Sequence, residues 1–167
     1  MYLFNNLWLQ EDSEYSTSGT ESEPEARGDV QTWCTCRNCK NMDSYRERVC
    51  CNDLEACVEL RDDACVHYKA AKPFDCITKH PGFEVNCLRW EVLEVAWRMY
   101  KRQYGADAYE SENKNKRYRH VAYRQLACFL FGSVGRLNRF ILPACAVNKI
   151  RERFSNTDEA YTGFLFE

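Results

Sequence analysis

The chain has 167 residues, 45% hydrophobic side chains and a formal net charge of −2, which suits one domain with a core and is too short for two large ones. No basic segment followed by a long apolar run opens the sequence, and no stretch approaches the ~18 apolar residues of a membrane span, so we expect neither a signal peptide nor a transmembrane segment. The chain has eleven cysteines, an odd total, and we see no export signal. These features predict a cytoplasmic location and reduced thiols that serve as metal ligands.

The first 32 residues are acidic and poor in apolar side chains, a composition that predicts a mostly disordered segment. Residues 1–9 are the exception, since four large apolar side chains there suit a short docking helix or a stub of something larger. We expect the folded domain to span residues 33–167. The segment's charges are one basic residue, Arg27, against seven acidic ones: Glu11, Asp12, Glu14, Glu21, Glu23, Glu25 and Asp29.

Residues 33–76 are dense in cysteine and weak in helical period, so we expect loops and short turns organised by metal ligands. A two-residue gap between cysteines lets one turn aim two sulfurs at one tetrahedral ion, whereas neighbouring cysteines usually point apart. Five clustered thiols are too many for one such site, and the spacing predicts two structural zinc ions, with bridging thiolates as one arrangement. The pattern is Cys34-x-Cys36-x-x-Cys39, then ten residues, then Cys50-Cys51.

The sixth ligand stays open on spacing alone. Cys76 is the most attractive candidate, followed by Cys57 and Cys65. His67 and His80 are alternatives, although a lone histidine near such a cluster is more typical of a surface position or a helix cap.

The three remaining cysteines lie on or beside predicted apolar helix faces: Cys87, Cys128 and Cys145. We expect them to be small buried hydrophobes. Structural zinc can contribute on the order of 10 kcal/mol and would replace the apolar core that the first half lacks. No set of His and Glu with an open metal position is present, so a catalytic site is not expected.

The second half reads as helical, with apolar residues three and four apart on one face of residues 88–104 and again on residues 118–131. Gly105 and Gly132 are the expected stops. A polar loop is expected over residues 106–116, and a last helix from Pro143. The aromatic tail, residues 161–166, is expected to pack back onto the domain. The predicted fold is mainly α with irregular zinc-stabilised loops, a cysteine-rich zinc half packed on a small helical bundle.

A series of motifs then occurs in order along the chain, at residues 33–39, 50–51, 76–78, 118–124, 131–133, 141–145, 149–154 and 161–164. Together they resemble the cytoplasmic C-terminal "ballast" domain of the P2X-type purinoceptor, subtype seven. Residues 76–83 with Cys87 and Leu88 are more similar to stand-alone versions of that domain. The resemblance covers about residues 33–164.

The resemblance implies a regulatory or interaction module, not an enzyme, that holds two zinc ions and a guanine nucleotide, GDP or GTP. It assigns the zinc to Cys34, Cys36, Cys39, Cys50, Cys51 and Cys76. It assigns the nucleotide pocket to Arg119, His120, Tyr123, Ile141 and Leu142. Tyr or His can stack on a purine, and Arg can donate to phosphate or to guanine acceptors. Protein partners remain unknown.

Two other function classes stay open. A zinc-cluster nucleic-acid-binding protein would use the basic segment 114–153, which has ten Lys or Arg and one acidic residue. Only four basic residues lie between the clustered cysteines, diluted by two acidic ones, so nucleic acid is the less favoured partner. An enzyme acting on nucleotides is least favoured, because no phosphate-binding Gly-x-x-x-x-Gly-Lys loop is present.

Overall fold

The computed structural model describes residues 28–135 and 138–155, and these residues are mainly helical and contain no strand, which confirms the predicted α class. Two 3₁₀ turns lie at Tyr45–Glu47 and Ile77–Lys79, and a π-helix at Glu84–Leu88 continues directly from α3. The α-helices are α1 (Val30–Trp33), α2 (Glu55–His67), α3 (Pro81–Phe83), α4 (Trp90–Tyr104), α5 (Lys114–Phe131) and α6 (Ala144–Arg153).

Helix α2 corrects the expectation that residues 33–76 would hold only loops and short turns. It has 13 residues, and its buried positions are Cys57, Arg61 and Ala64. Arg61 donates from Nε to the carbonyl of Cys57, 3.1 Å away, so its charge lies inside the helix–domain contact. Because the inward face carries a thiol, a guanidinium and a methyl group, no apolar period marks this helix in the sequence.

Helices α4 and α5 confirm the two predicted amphipathic segments and their glycine stops. Gly105 and Gly132 follow the helices with φ of 107° and 72°, a backbone region that glycine enters without steric cost. Met99 continues the apolar stripe of α4 in the sequence but is 65% exposed, so the stripe does not predict its burial. The α4 residues that are fully buried are Leu93 and Ala96.

The loop between α4 and α5 runs back along α4. Trp97 donates from Nε1 to the carbonyl of Ala108 at 3.2 Å, and Lys101 pairs with Glu110 at 2.6 Å. The loop also ends earlier than expected, because Asn113 accepts at Oδ1 from the backbone N–H of Lys116, 3.1 Å away, and begins α5 there. The expected polar loop therefore loses its last three residues, 114–116, to helix.

Helix α6 lies in the middle of the core. It buries Ala144, Cys145, Ala146, Val147 and Ile150, and it contacts α5, the π-helix and the 3₁₀ turn that follows Cys76. The helix starts at Ala144, one residue later than predicted, and Pro143 is its N-cap residue.

None of the described helices is long and apolar enough to cross a membrane. Of the acidic segment, residues 1–27 lie outside the described residues, and residues 30–32 belong to α1 rather than to an extended tail. The expected packing of residues 161–166 also falls outside the described part of the chain.

Candidate metal centre

Four thiols from the first cysteine run meet at one point. Cys34, Cys36, Cys39 and Cys50 place their sulfurs within 4.8 Å of one another. The Sγ of Cys36 is 3.8 Å from that of Cys34 and 3.7 Å from that of Cys39. Short turns around Cys36 converge the first three side chains, and the chain returns through the turn Tyr45–Glu47 to add the fourth.

A second group of four thiols shares one member with the first. Cys36, Cys51, Cys76 and Cys145 also place their sulfurs within 4.8 Å of one another, and all four are buried. The Sγ atoms of Cys51 and Cys76 are 3.8 Å apart. We name these seven cysteines, in two groups joined by Cys36, the thiol cluster; each group is a set of donors that can hold a metal ion.

The position of Cys145 corrects the expectation that this residue is only a small buried hydrophobe. It lies on the inward face of α6 and is 2% exposed, as that interpretation predicts, but its sulfur completes the second group. A cysteine on an apolar helix face has the same sequence pattern in both roles. Only the packing of α6 against the first half distinguishes them.

The adjacent cysteines divide between the two groups. Cys50 belongs to the first group and Cys51 to the second, in line with the expectation that neighbouring side chains point apart. Cys76 joins the cluster, whereas neither Cys57 nor Cys65 belongs to a group. Burial raises the pKa of the Cys57 thiol to about 12, so that residue stays protonated at neutral pH.

Hydrogen bonds within the thiol cluster concentrate negative charge on the shared sulfur. Thiol groups of Cys145, Cys39, Cys51 and Cys76 surround Cys36 and hold its pKa well below the usual range. The hydrogen bond from the Cys145 thiol is the largest cause of this lowering, and the pKa of Cys145 itself is raised far above the usual range. The thiolate form of Cys36, which is the form that binds a metal ion, is thus stabilised at the point where the two groups meet.

Contacts from helix α6 hold the loop that leads to Cys50. The backbone N–H of Ala144 donates to the carbonyl of Val49, 2.9 Å away, immediately before Cys50. Two ion pairs join the same surfaces. Glu47 is 3.9 Å from Arg151 with both side chains nearly buried, and the exposed Lys40 pairs with Glu152. The loop is therefore attached to the helix that carries Cys145.

The two histidines near the cluster lie outside both groups. His80 accepts at Nδ1 from the backbone N–H of Gly82, 2.8 Å away, and caps α3. His67 is exposed at the end of α2 and contacts the ring of Tyr68. Both occupy the cap and surface positions that the sequence analysis favours over metal ligation.

The residues assigned to a nucleotide pocket lie on α5 and on the segment before α6. His120 is exposed, and Tyr123 and Leu142 are half-buried against the same core. Ile141 is also half-buried. Arg119 differs, because it is 4% exposed and donates to the carbonyl of Phe154 at 2.7 Å; it holds the end of α6 against α5.

Several basic side chains of segment 114–153 point into the protein. Arg119 and Arg124 are 4% and 8% exposed, and the side chains of Arg117 and Arg151 are 11% and 14% exposed. Arg124 donates to the carbonyls of Val134 and Gly135. Four of the ten basic side chains of this segment therefore contribute little to its exposed surface.

The fold and the thiol cluster define a cysteine-rich helical domain able to hold metal ions. The sequence model of the P2X purinoreceptor 7 intracellular domain matches residues 5–165, and the chain belongs to that family. It is 31% identical to the rat P2X purinoceptor 7 over 151 residues, which cover 87% of this chain and 22% of the rat protein. It is 30% identical to the mouse P2X purinoceptor 7 over 144 residues, 83% of this chain and 21% of the mouse protein. The chain thus spans about a fifth of the length of these curated relatives.

Proposed function

We propose that this protein is a non-enzymatic, cytoplasmic regulatory or interaction module built on two structural zinc ions. One observation carries the proposal: seven buried or half-buried thiols form two groups of four that share Cys36. The family to which the chain belongs is described as an intracellular domain, which supports the location.

Zinc suits these donors in kind and in spacing. A tetrahedral ion with Zn–S bonds of about 2.3 Å holds its sulfurs about 3.8 Å apart. The distances of 3.7–3.8 Å between Cys34, Cys36 and Cys39, and between Cys51 and Cys76, match that edge. One ion would take Cys34, Cys36, Cys39 and Cys50, and the other Cys36, Cys51, Cys76 and Cys145.

The surroundings of the cluster also suit thiolates. Two divalent ions and seven thiolates carry a net charge of −3, so the sulfurs need hydrogen-bond donors around them. The backbone N–H of Cys36 donates to the sulfur of Cys50 at 3.4 Å, and the hydroxyl of Thr78 lies 3.1 Å from the sulfur of Cys76. Four protein sulfurs per ion leave no position for water or substrate, which supports a structural rather than a catalytic role.

Native mass spectrometry of the purified chain tests the zinc proposal. We expect a mass that exceeds the mass of the metal-free chain, with all eleven cysteines reduced, by two zinc ions. A folded protein without metal would overturn the proposal, as would the visible absorption of an iron–sulfur centre, the other common occupant of four-sulfur sites.

We further propose that the module binds a guanine nucleotide, GDP or GTP, beside His120, Tyr123, Ile141 and Leu142. The support is the family resemblance, together with the exposed imidazole of His120 and the half-buried ring of Tyr123 on one helix. Arg119 acts here through the fold, because its guanidinium already bonds the Phe154 carbonyl.

The N-terminus of α6 has one fewer free backbone N–H group for an anion, since the N–H of Ala144 donates to the carbonyl of Val49. Calorimetric titration with GDP tests the nucleotide proposal. We expect Tyr123→Ala to weaken binding about tenfold through loss of stacking. Absence of GDP binding by the zinc-loaded protein would overturn it.

The nucleic-acid alternative loses support in this structure. It depends on an open basic surface along residues 114–153, and four of the ten basic side chains there are turned inward. An affinity for DNA that falls steeply with salt concentration would restore it.

A further inference from the structure

An open groove of about 490 Å³ lies beside the second half of α2. Its walls are largely apolar: Leu60, Ala64, Val66 and Tyr68 line it together with Asp63 and His80. Val66 is 81% exposed and Tyr68 is 51% exposed. A folded domain gains no stability from a valine held in water, and clustered apolar exposure beside a concave surface is typical of a binding site.

The groove also contains a hydrogen-bond donor without an acceptor. His80 is only 6% exposed, and its Nδ1 accepts from the N–H of Gly82. Burial lowers the pKa of this imidazole, so the ring is neutral at pH 7 and carries its proton on Nε2. Within residues 28–135 and 138–155, no hydrogen bond engages Nε2, and this atom is not among the fully buried polar atoms that lack a partner, so it is accessible. Because His80 lines the groove, a ligand there can accept a hydrogen bond from Nε2.

The exposed surface of α2 next to the groove, which we call the rim, is acidic, and one of its carboxylates, Asp63, lines the groove itself. Glu55, Glu59, Asp62 and Asp63 are exposed, and none of them forms an ion pair with another described residue. Glu55, Glu59, Asp62 and Val66 follow one another at spacings of four, three and four, so they lie along one face of the helix. The only basic residue within α2 before its terminal His67, Arg61, is turned inward at 7% exposure.

We propose that this groove is the docking site for a peptide segment of another protein, one that carries an apolar or aromatic side chain flanked by lysine or arginine. The apolar side chain would lie between Leu60, Val66 and Tyr68. A backbone carbonyl beside it would accept from Nε2 of His80. The flanking cations would pair with Glu59, Asp62 and Asp63.

Charge complementarity argues against the remaining parts of this chain as occupant. Residues 1–27 contain six acidic residues and one basic residue, and residues 156–167 contain three acidic and no basic residues. Although residues 1–9 and 161–166 are apolar, the two segments together offer only one cation, Arg27, to pair with the acidic rim. The proposal goes beyond the zinc site, because none of the groove-lining residues or the four acidic residues of the rim belongs to the thiol cluster.

A random peptide library displayed on phage, selected against the immobilised zinc-loaded chain, tests the proposal. We expect enriched peptides to combine an aromatic or aliphatic residue with neighbouring Lys or Arg. Synthesised and titrated by calorimetry, these peptides should bind the Glu59→Lys, Asp63→Lys double variant at least about tenfold more weakly. Glu91→Lys on the exposed face of α4 is the matched control and should leave affinity unchanged.

A second variant separates docking from folding. Val66→Ser changes a side chain that is 81% exposed, and Val95→Ser, at 60% exposure on α4, is its control. We expect Val66→Ser alone to weaken peptide binding, with helicity by circular dichroism unchanged in both. Amide chemical shifts on peptide addition should concentrate at residues 60–68 and 80.

The contrary outcomes are specific. Enrichment of acidic peptides, or equal binding by the double variant and the Glu91→Lys control, would overturn the proposal. A concentration-dependent dimer that the double variant abolishes would assign the groove to a second copy and overturn it as well. Zinc content is measured on every variant, so failure of the metal site is recognised separately from failure of docking.

Discussion

Replacing Cys145 by serine probes the one member of the thiol cluster that the spacing of the cysteines does not predict. Cys145 belongs to the second group of sulfurs and not to the first. Its loss should therefore release or weaken one zinc ion and leave the ion among Cys34, Cys36, Cys39 and Cys50 in place. The expected stoichiometry is one tightly held ion instead of two.

The magnitude follows from the number of donors. Structural zinc binding in small domains is worth about 10–16 kcal/mol, so one of four ligands accounts for about 2.5–4 kcal/mol. At 1.4 kcal/mol per decade, affinity at the second position should fall by about 10²–10³. Competition with a chromophoric chelator measures this loss, and native mass spectrometry counts the ions that remain.

Cys87→Ser is the matched control. Cys87 is fully buried, burial raises its thiol pKa to about 12, and it belongs to neither group. Both variants bury a hydroxyl in place of a thiol, so they share that cost in stability. If Cys145→Ser and Cys87→Ser retain zinc equally well, Cys145 is not a ligand and the second site is wrong as described.

The remaining predictions concern the contacts around the site. Glu47→Ala should lower the free energy of unfolding by about 1–3 kcal/mol because it removes the carboxylate that faces the nearly buried Arg151. Lys40→Ala, in an exposed pair, should cost under about 0.5 kcal/mol, and equal costs in urea unfolding would contradict this. Gly82→Ala should cost about 1–3 kcal/mol, since its new Cβ would lie 2.7 Å from a Phe ring carbon. Gly28→Ala, whose nearest contact is 3.9 Å away, is the control, and similar melting temperatures for both would refute the packing. His120→Ala should weaken GDP binding about tenfold through lost stacking with an unchanged melting temperature; undiminished calorimetric affinity would remove His120 from the pocket.

The sequence predicts the second half of the fold well, because its signals are local. The apolar stripes of α4 and α5, the two glycine stops and the proline before α6 each determine their element without reference to the rest of the chain. The limit appears at Met99, which continues the stripe in sequence yet is 65% exposed. A stripe identifies the inward face, but which residues at its edge are covered depends on the neighbouring elements.

The first half could be predicted only in part, because tertiary contacts organise it. Helix α2 has no apolar stripe, since Cys57, Arg61 and Ala64 form its inward face. Spacing groups the first five cysteines and leaves the sixth ligand open among Cys76, Cys57 and Cys65. Cys145 lies 69 residues beyond Cys76 on an ordinary-looking helix face, and only the docking of α6 through Val49 and Arg151 brings its sulfur close to the others.

The two predicted sites therefore differ in how far residue type indicates role. A thiol close to six others is restricted to few roles, whereas an arginine on a helix is not. Arg119 matches the nucleotide motif in type and position, and its buried bond to Phe154 gives it a structural task that sequence cannot distinguish. The exposed His120 is the better reporter of the pocket.

X-ray absorption at the zinc edge of the purified protein tests the shared-sulfur centre most directly. The account predicts four sulfur neighbours per zinc at about 2.3 Å and, because Cys36 would bridge the ions, a second zinc at less than about 4.6 Å. Nitrogen or oxygen neighbours in the first shell, or zinc without a metal neighbour at that range, would contradict it.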